Sequence, residues 1–354
     1  MNHISSAEIA RKVNVSRQVV SAVLNDRKSV RVSESKCREI LEIVRKFNYK
    51  PNPNARALAG KTAHTVGIIQ PNFFSPLSSA IMAQLTRRFR NGGYDCYVLP
   101  ARDSEEEKSV LAEFTVRRLE GILVAQLSDE ANYAGLPVPS VIISNSKSCS
   151  DLCVDLHGGM RLALEHLHCH GRKNIIFLTD WIVGNPQKYE AYKEFARDHG
   201  MRELVVETKY GRNPFARAMD FIRKKNADAA AGTSDILAGI FINRLLRSGI
   251  SVPEDVAVSG FDGGYLCLAG TTQLSSVVHP IMAITEQAVA LLMEKIRNKL
   301  LERSRKPIVV KPKFFCGQTC GCQGFSGMLN DFPIHLEEAS EDQKNSFRKN
   351  LIEG

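Results

Sequence analysis

The stretch ISSAEIARKVNVSRQVVSAVL, residues 4–24, reads as two short helices separated by a tight turn. Ser5 followed by Glu8 has the spacing of a capping box, which starts a helix. Ile9, Ala10 and Val13 recur at helical spacing and give that helix one apolar face. Asn14 and Val15 break the pattern, and Ser16 is placed to cap a second helix. There Val19, Val20 and Val23 share one face, and Arg17, Gln18 and Ser21 another. A helix-turn-helix needs this arrangement, with one helix bracing across the phosphates and the next placing its N-terminal side chains in the major groove. Arg17 and Gln18 are residue types that pair bidentately with guanine and adenine edges. The alternative is an ordinary helical hairpin with a solvated polar face.

The chain beyond this stretch favours DNA. Ser33 caps a third predicted helix reaching about Phe47, with Cys37, Ile40, Leu41 and Val44 at core spacing. NYKPNPNARALAGK follows, residues 48–61. Pro51 and Pro53 cannot continue a helix and favour extended backbone before them. Residues 54–59 have the length of about one and a half helical turns, too short to be stable alone. Charge is concentrated in the same region. Residues 1–61 hold thirteen Lys/Arg and five Asp/Glu, a net of +8, so the other 293 residues carry +1 of the total +9. A basic module on a near-neutral body points to a polyanionic partner for the module only.

From residue 64 strand and helix patterns alternate, which predicts a parallel sheet with helices on both faces. HTVGIIQP, YDCYVLPA, GILVA and PSVIIS are the first strands, with helices over 76–92 and 104–119. A second unit runs through VDL, NIIFLTD, LVVET, AAAGT and VAVSGFD, with helices over 158–169, 187–199, 214–225 and 235–248. QLSSVVH, a helix over 281–301 and PIVVKPKFF complete the pattern. Residues 331–354 hold six acidic and three basic residues, so 323–354 reads as an acidic C-terminal tail.

EIARKVNVSRQVVSAVLN, NYKPNPNARALAGK, HTVGIIQPN and VPEDVAVSGFD, spread from residue 8 to residue 262, carry a resemblance to the LacI/GalR (lactose-repressor) family of bacterial transcription regulators. The resemblance implies an all-α helix-turn-helix DNA-binding domain over 1–50 and a hinge helix or linker over 51–63. It implies an α/β, two-lobed, periplasmic-binding-protein-like (type I) effector and dimerisation domain over 64–322. Lobe 1 is expected at about 64–148 and 280–306, lobe 2 at about 149–279 and 307–322. The implied partners are a palindromic double-stranded DNA operator, a small-molecule effector such as a sugar or nucleobase, and a second copy of the chain.

Family roles carry over residue by residue. Arg17 and Gln18 are expected to read bases, with Ala22 offering a methyl contact. Ser5, Ser16, Ser21, Asn25 and Arg31 are candidates for phosphate contacts, which fix register without reading sequence. Ala55 and Leu58 fall in the hinge, where the family's leucine wedges into the minor groove. The effector is expected between the lobes, near Asn72, Phe73, Leu77, Asp155, Trp181, Lys188, Ser234 and Asp262, which follow strand ends. Asp235 is read as a helix N-cap ahead of a ligand contact. Three departures obscure the ligand. Lys188 stands where sugar-binding relatives carry an arginine, and a lysine cannot make the bidentate fork. Gly263 replaces the second aspartate of the family's FDD motif, and the usual aromatic pair near Leu77 and Ser78 is missing.

Two clusters invite a metal reading. His166 and His170 are four apart on a predicted helix, a spacing that suits zinc, with His168 and Cys169 between them. Relatives carry similar histidines at this helix end, where they cap carbonyls. Cys316, Cys320 and Cys322 form C-x3-C-x-C with no fourth ligand in view. The sequence therefore assigns no metal and no cofactor. Nine scattered cysteines and a polar N-terminus fit a reducing, cytoplasmic location. No eighteen consecutive residues are apolar, so no membrane span is expected. A Walker loop, G-x-S-x-G, H-E-x-x-H and a dinucleotide fingerprint are all missing, which argues against an enzyme.

Overall fold

The computed structural model describes residues 4–24, 32–47, 49, 64–70, 75–125, 133, 136–144, 150–208, 214–268, 272–302 and 306–322. The candidate residues Asn25, Arg31, Ala55, Leu58, Asn72 and Phe73, and the tail 323–354, lie outside them. The chain divides into two compact units, Met1–His64 with Arg118–Glu120, and the remainder.

The first unit contains α1 (Ser6–Val13), α2 (Arg17–Leu24) and α3 (Glu34–Lys46). Ser5 and Glu8 form the reciprocal capping box, with Glu8 N donating to Ser5 Oγ at 3.2 Å and Ser5 N donating to Glu8 Oε2 at 2.7 Å. Ile9, Ala10, Val13, Val20 and Ile40 form the core, flanked by the half-buried Val19, Val23, Ile43 and Val44. Leu41, expected in this core, is instead exposed. Lys36 Nζ donates to the Val13 carbonyl at 2.9 Å, so α3 supplies a cation to the C-terminus of α1.

The second unit holds two six-stranded sheets. The first contains β1 (Thr65–Gln70), β2 (Asp95–Pro100), β3 (Gly121–Ala125), β4 (Ser140–Ile143), β5 (Leu152–Val154) and β11 (Ile308–Val310). All its pairings are parallel, in the order β11-β5-β4-β3-β1-β2. The second contains β6 (Ile175–Thr179), β7 (Leu204–Glu207), β8 (Ala229–Gly232), β9 (Ala257–Asp262), β10 (Ser275–Val278) and β12 (Lys313–Phe315). Its order is β12-β10-β9-β8-β6-β7, and only the β10–β12 pairing is antiparallel. The helices are α4 (Pro76–Asn91), α5 (Ser104–Val116), α6 (Leu156–Cys169), α7 (Pro186–Asp198), α8 (Ala216–Arg223), α9 (Asp235–Leu246) and α10 (Ile281–Asn298). Their burial of both sheet faces is why strands such as GILVA read as unbroken apolar runs. No helix among the described residues is long and apolar enough to cross a membrane.

Two strand assignments differ from the sequence expectation. VDL, expected as a strand opening the second lobe, contributes only Val154 to a strand, the last residue of β5 in the first sheet, while Asp155 and Leu156 begin α6. PIVVKPKFF is not one strand of the second lobe, since it splits at Lys311–Pro312 into β11 in the first sheet and β12 in the second. A buried ion pair explains the first difference. Asp151 Oδ1 accepts from Lys295 Nζ at 3.0 Å, and Asp151 Oδ2 accepts from Ile142 N at 2.9 Å. Lys295 Nζ also donates to the Ser140 carbonyl at 2.8 Å. Both side chains are almost fully buried, so the chain at residue 151 is held beside β4 and under α10.

Removing one member of such a pair leaves the other's charge in the interior without its counter-ion. Lys295→Ala should therefore destabilise the protein by about 3–5 kcal/mol. Substitution of the exposed Val116 by serine should leave the denaturation midpoint in place. Chemical denaturation of both variants checks the contrast.

Candidate functional site

In the first unit Ser16 caps α2, its Oγ accepting from Val19 N at 3.3 Å. Arg17 and Gln18 occupy the first helical positions and are exposed, opposite the buried Val20. Ser5 and Ser16 are also exposed, but their hydroxyls serve first as caps. Ser21 is half-buried. Ala22 departs from expectation, being only 3 % exposed.

In the second unit the chain passes between the sheets from β5 to α6, from β10 to α10, and from β11 to β12. Val154, Leu156, His279 and Ile281 at these crossings line a cavity of about 150 Å³. One wall is apolar, with Leu77, Ile81, Ile143 and Ile284, and the other is polar, with Asn185, Lys188, Asp262 and His279. Gln70, Ser78 and Ser144 complete the polar lining.

Of the described effector candidates, Leu77, Lys188 and Asp262 meet here. Asp155 and Ser234 do not, because their oxygens cap helices, accepting from Gly158 N at 3.1 Å and Leu237 N at 3.2 Å. Trp181 also stays off the lining and is partly exposed. The Asn185 amide folds the 180–185 turn by donating to the Trp181 carbonyl at 3.1 Å and to Asp180 Oδ1 at 3.2 Å. Sequence reading missed Asn185 and His279. His279 ends the quoted word QLSSVVH and Asn185 directly precedes a helix, but neither belongs to a motif.

The polar wall is a set of buried ionisable groups. Lys188 Nζ donates to the Thr233 carbonyl at 2.7 Å and lies 3.7 Å from the Phe261 ring centroid. Burial pulls its ammonium below the usual lysine range, against the pull of Asp262, Asp180 and Asp235. Burial pushes the Asp262 carboxyl up to about 8, with Lys188 opposing. His279 Nε2 lies 3.8 Å from Asp262 Oδ1, and burial followed by Lys188 holds its imidazole down at about 3. The cavity therefore presents a neutral imidazole at neutral pH.

Asp235 fixes this arrangement from behind. It begins α9 but is not its N-cap, and its side chain is buried. Its carboxylate accepts a short hydrogen bond from Ser276 Oγ, one from Gly264 N at 3.0 Å and one from Cys267 Sγ at 3.4 Å. The loop after β9 is thereby tied down, with Asp262 at φ 131° and Gly263 at φ 68°. A Cβ on Gly263 would lie 2.4 Å from Val278 Cα, so the family's second aspartate has no room here. Positive φ at a non-glycine residue stores strain and gathers at functional sites.

Comparison with known proteins agrees with both halves. Residues 7–52 match the family model "Bacterial regulatory proteins, lacI family", and residues 164–320 match "Periplasmic binding protein-like domain". The catabolite control protein A of Priestia megaterium is 26 % identical over 324 residues, 85 % of this chain and 95 % of that protein. The transcriptional repressor PurR of Aliivibrio fischeri strain ATCC 700601 / ES114 is 27 % identical over 318 residues, 84 % and 93 % of the two chains. Among solved structures, the Lac repressor dimer bound to operator and the anti-inducer ONPF superposes with a TM-score of 0.77 at 18 % identity. That match covers 90 % of this chain and 99 % of the repressor. The transcriptional regulator CelR–cellobiose complex has a TM-score of 0.63 at 19 % identity, covering 90 % and 100 %. The relatives named are transcription regulators, and this chain carries a lacI-family helix-turn-helix domain and a periplasmic-binding-protein-like domain in that order.

Proposed function

We propose that the protein represses transcription from a palindromic operator, and that a small polyhydroxylated ligand of the sugar class changes its operator affinity from the cavity. One observation carries this reading. A capped helix presenting Arg17 and Gln18 shares a chain with a cavity whose polar wall is Lys188, Asp262 and His279. Arg17 and Gln18 read bases, while Ser5, Ser16, Ser21, Asn25 and Arg31 hold phosphates. Residues 54–59 become helical only on the operator, and Leu58, beside Ala55, enters the minor groove. Two copies pair through the body, and their two-fold symmetry matches the palindrome. The protein acts in the cytoplasm and by binding, with no catalysed reaction.

Asp262 suits a ligand that donates hydroxyls, because an ionised carboxylate accepts charge-assisted hydrogen bonds. A thermal-shift screen of the full-length protein with monosaccharides, disaccharides and nucleobases identifies the class, since a ligand of the native state raises apparent stability. A shift from nucleobases alone would replace the sugar assignment.

Three measurements follow from these roles. Arg17→Ala should weaken the cognate operator by roughly 1–3 kcal/mol and relax the preference at one base pair. An unchanged ranking of operator variants in a binding assay would remove Arg17 from base readout. Asp262→Asn should reduce but not abolish the ligand-induced shift, yet leave operator affinity of the ligand-free protein near that of the parent. The third is a pH profile. Below about 8 the free cavity holds Asp262 protonated, whereas a hydroxyl-donating ligand prefers the carboxylate. Ligand affinity should thus rise from pH 6.5 to 8.5, and titration calorimetry should find Asp262→Asn flat over this range.

A further inference from the structure

The two clusters that the sequence presents separately meet at the far end of α6 from the cavity. His166 and His170 occupy the last turn and C-cap of α6, and Cys320 and Cys322 lie in the turn after β12. One donor atom from each falls within 4.8 Å of all the others. Cys320 Sγ is 3.1 Å from His166 Nε2, and Cys322 Sγ is 3.5 Å from His166 Nε2 and 3.3 Å from His170 Nε2. We propose that His166, His170, Cys320 and Cys322 bind a zinc ion in a tetrahedral site that clasps the end of α6 to the chain after β12.

The donor set and its dimensions agree. Two imidazole nitrogens and two thiolates are a borderline-soft set that favours zinc over calcium or magnesium. With zinc–sulfur near 2.3 Å and zinc–nitrogen near 2.0–2.1 Å, tetrahedral donors stand about 3.3–3.8 Å apart. Three of the six donor pairs, at 3.1–3.5 Å, need only small adjustment, and the rest, within 4.8 Å, must close by at most about 1.5 Å. The surroundings hold the donors in place. The Phe314 ring lies 4.5 Å from the His166 ring, centroid to centroid. Thr319, next to Cys320, donates from Oγ1 to the Val258 carbonyl and accepts from Ser275 N at 2.9 Å. Between the cysteines Gly321 adopts φ 101°, which lets both sulfurs turn to one side.

Burial is graded across the site. Cys320 is fully buried, His166 and Cys322 are half-buried, and His170 is exposed, which leaves an entry path for the ion. His168 turns away and stacks edge-on against Phe195 and His199. Cys316 is outside the converging four. Binding consumes no oxidant: each thiol releases its proton to solvent as its sulfur takes the metal.

The test is the metal content of the full-length protein, purified with reductant and dialysed against metal-free buffer. Mass spectrometry of the elements should find about one zinc per protomer. Cys322→Ser and His170→Ala, both at the accessible side, should lose it, while Cys316→Ser and His168→Ala should keep it. Cobalt(II) added to the stripped wild type should give the visible absorption of a tetrahedral centre with thiolate charge transfer, absent in Cys322→Ser. Chelation should lower the Tm of the wild type and leave that of Cys322→Ser unmoved. Zinc-free protein that takes no cobalt, or zinc content unchanged by Cys322→Ser, would overturn the proposal. So would a disulfide among Cys316, Cys320 and Cys322 in protein alkylated at lysis, since such a bond consumes the thiolates.

Discussion

The carboxylate of Asp235 is the contact on which the candidate ligand site depends. It accepts from Ser276, Gly264 and Cys267, and so joins the start of α9, the strand β10 and the loop after β9. Burial pushes its carboxyl above the usual range, against the pull of those donors. That loop carries Asp262, whose neighbours Lys188 and His279 arrive from other elements. Ionisable groups this deeply buried are a poor way to hold a fold together, since desolvation offsets most of their attraction. Their concentration in a cavity, with ionisation moved from ordinary values, is instead what ligand recognition requires.

The first sheet uses a different kind of buried charge. Lys295 and Asp151 sit away from the cavity lining, and their remaining hydrogen-bonding capacity goes to Ser140 and Ile142 of the backbone. This pair is architectural. It sets where the chain leaves the first sheet, and therefore where the crossings lie. The cavity is lined by residues at those crossings. A ligand that bridges Leu77 on one side and Lys188 on the other is thus placed to bias the lobes, which is the differential contact that allosteric coupling needs.

The helix α6 connects two features with unrelated sequence signals. Its N-terminal residue Leu156 lines the cavity, and its C-terminal histidines face Cys320 and Cys322. A fourteen-residue helix is about 21 Å long, so the two lie about that far apart. The histidine spacing alone was compatible with ordinary carbonyl capping, and three cysteines without a fourth ligand were compatible with plain thiols. Only their meeting gives four donors of one chemical character.

Local patterning by itself determined the helix-turn-helix, the capping box at Ser5 and Glu8, the order of strands and helices, and the exposure of Arg17 and Gln18. These rest on periodicity and capping, which act over a few residues. The family resemblance, not local patterning, singled out Lys188 and Asp262. Tertiary structure alone decided which sheet takes Leu152–Val154, because Asp151 finds its partner Lys295 far along the chain. It decided that Ser234 and Asp155 cap helices while Asn185 and His279 face the cavity. A strand end shows where a side chain starts but not whether backbone or cavity receives it. Likewise it joined His166 and His170 to Cys320 and Cys322, a meeting set by the return of the chain through β12 to the end of α6, which no local pattern encodes.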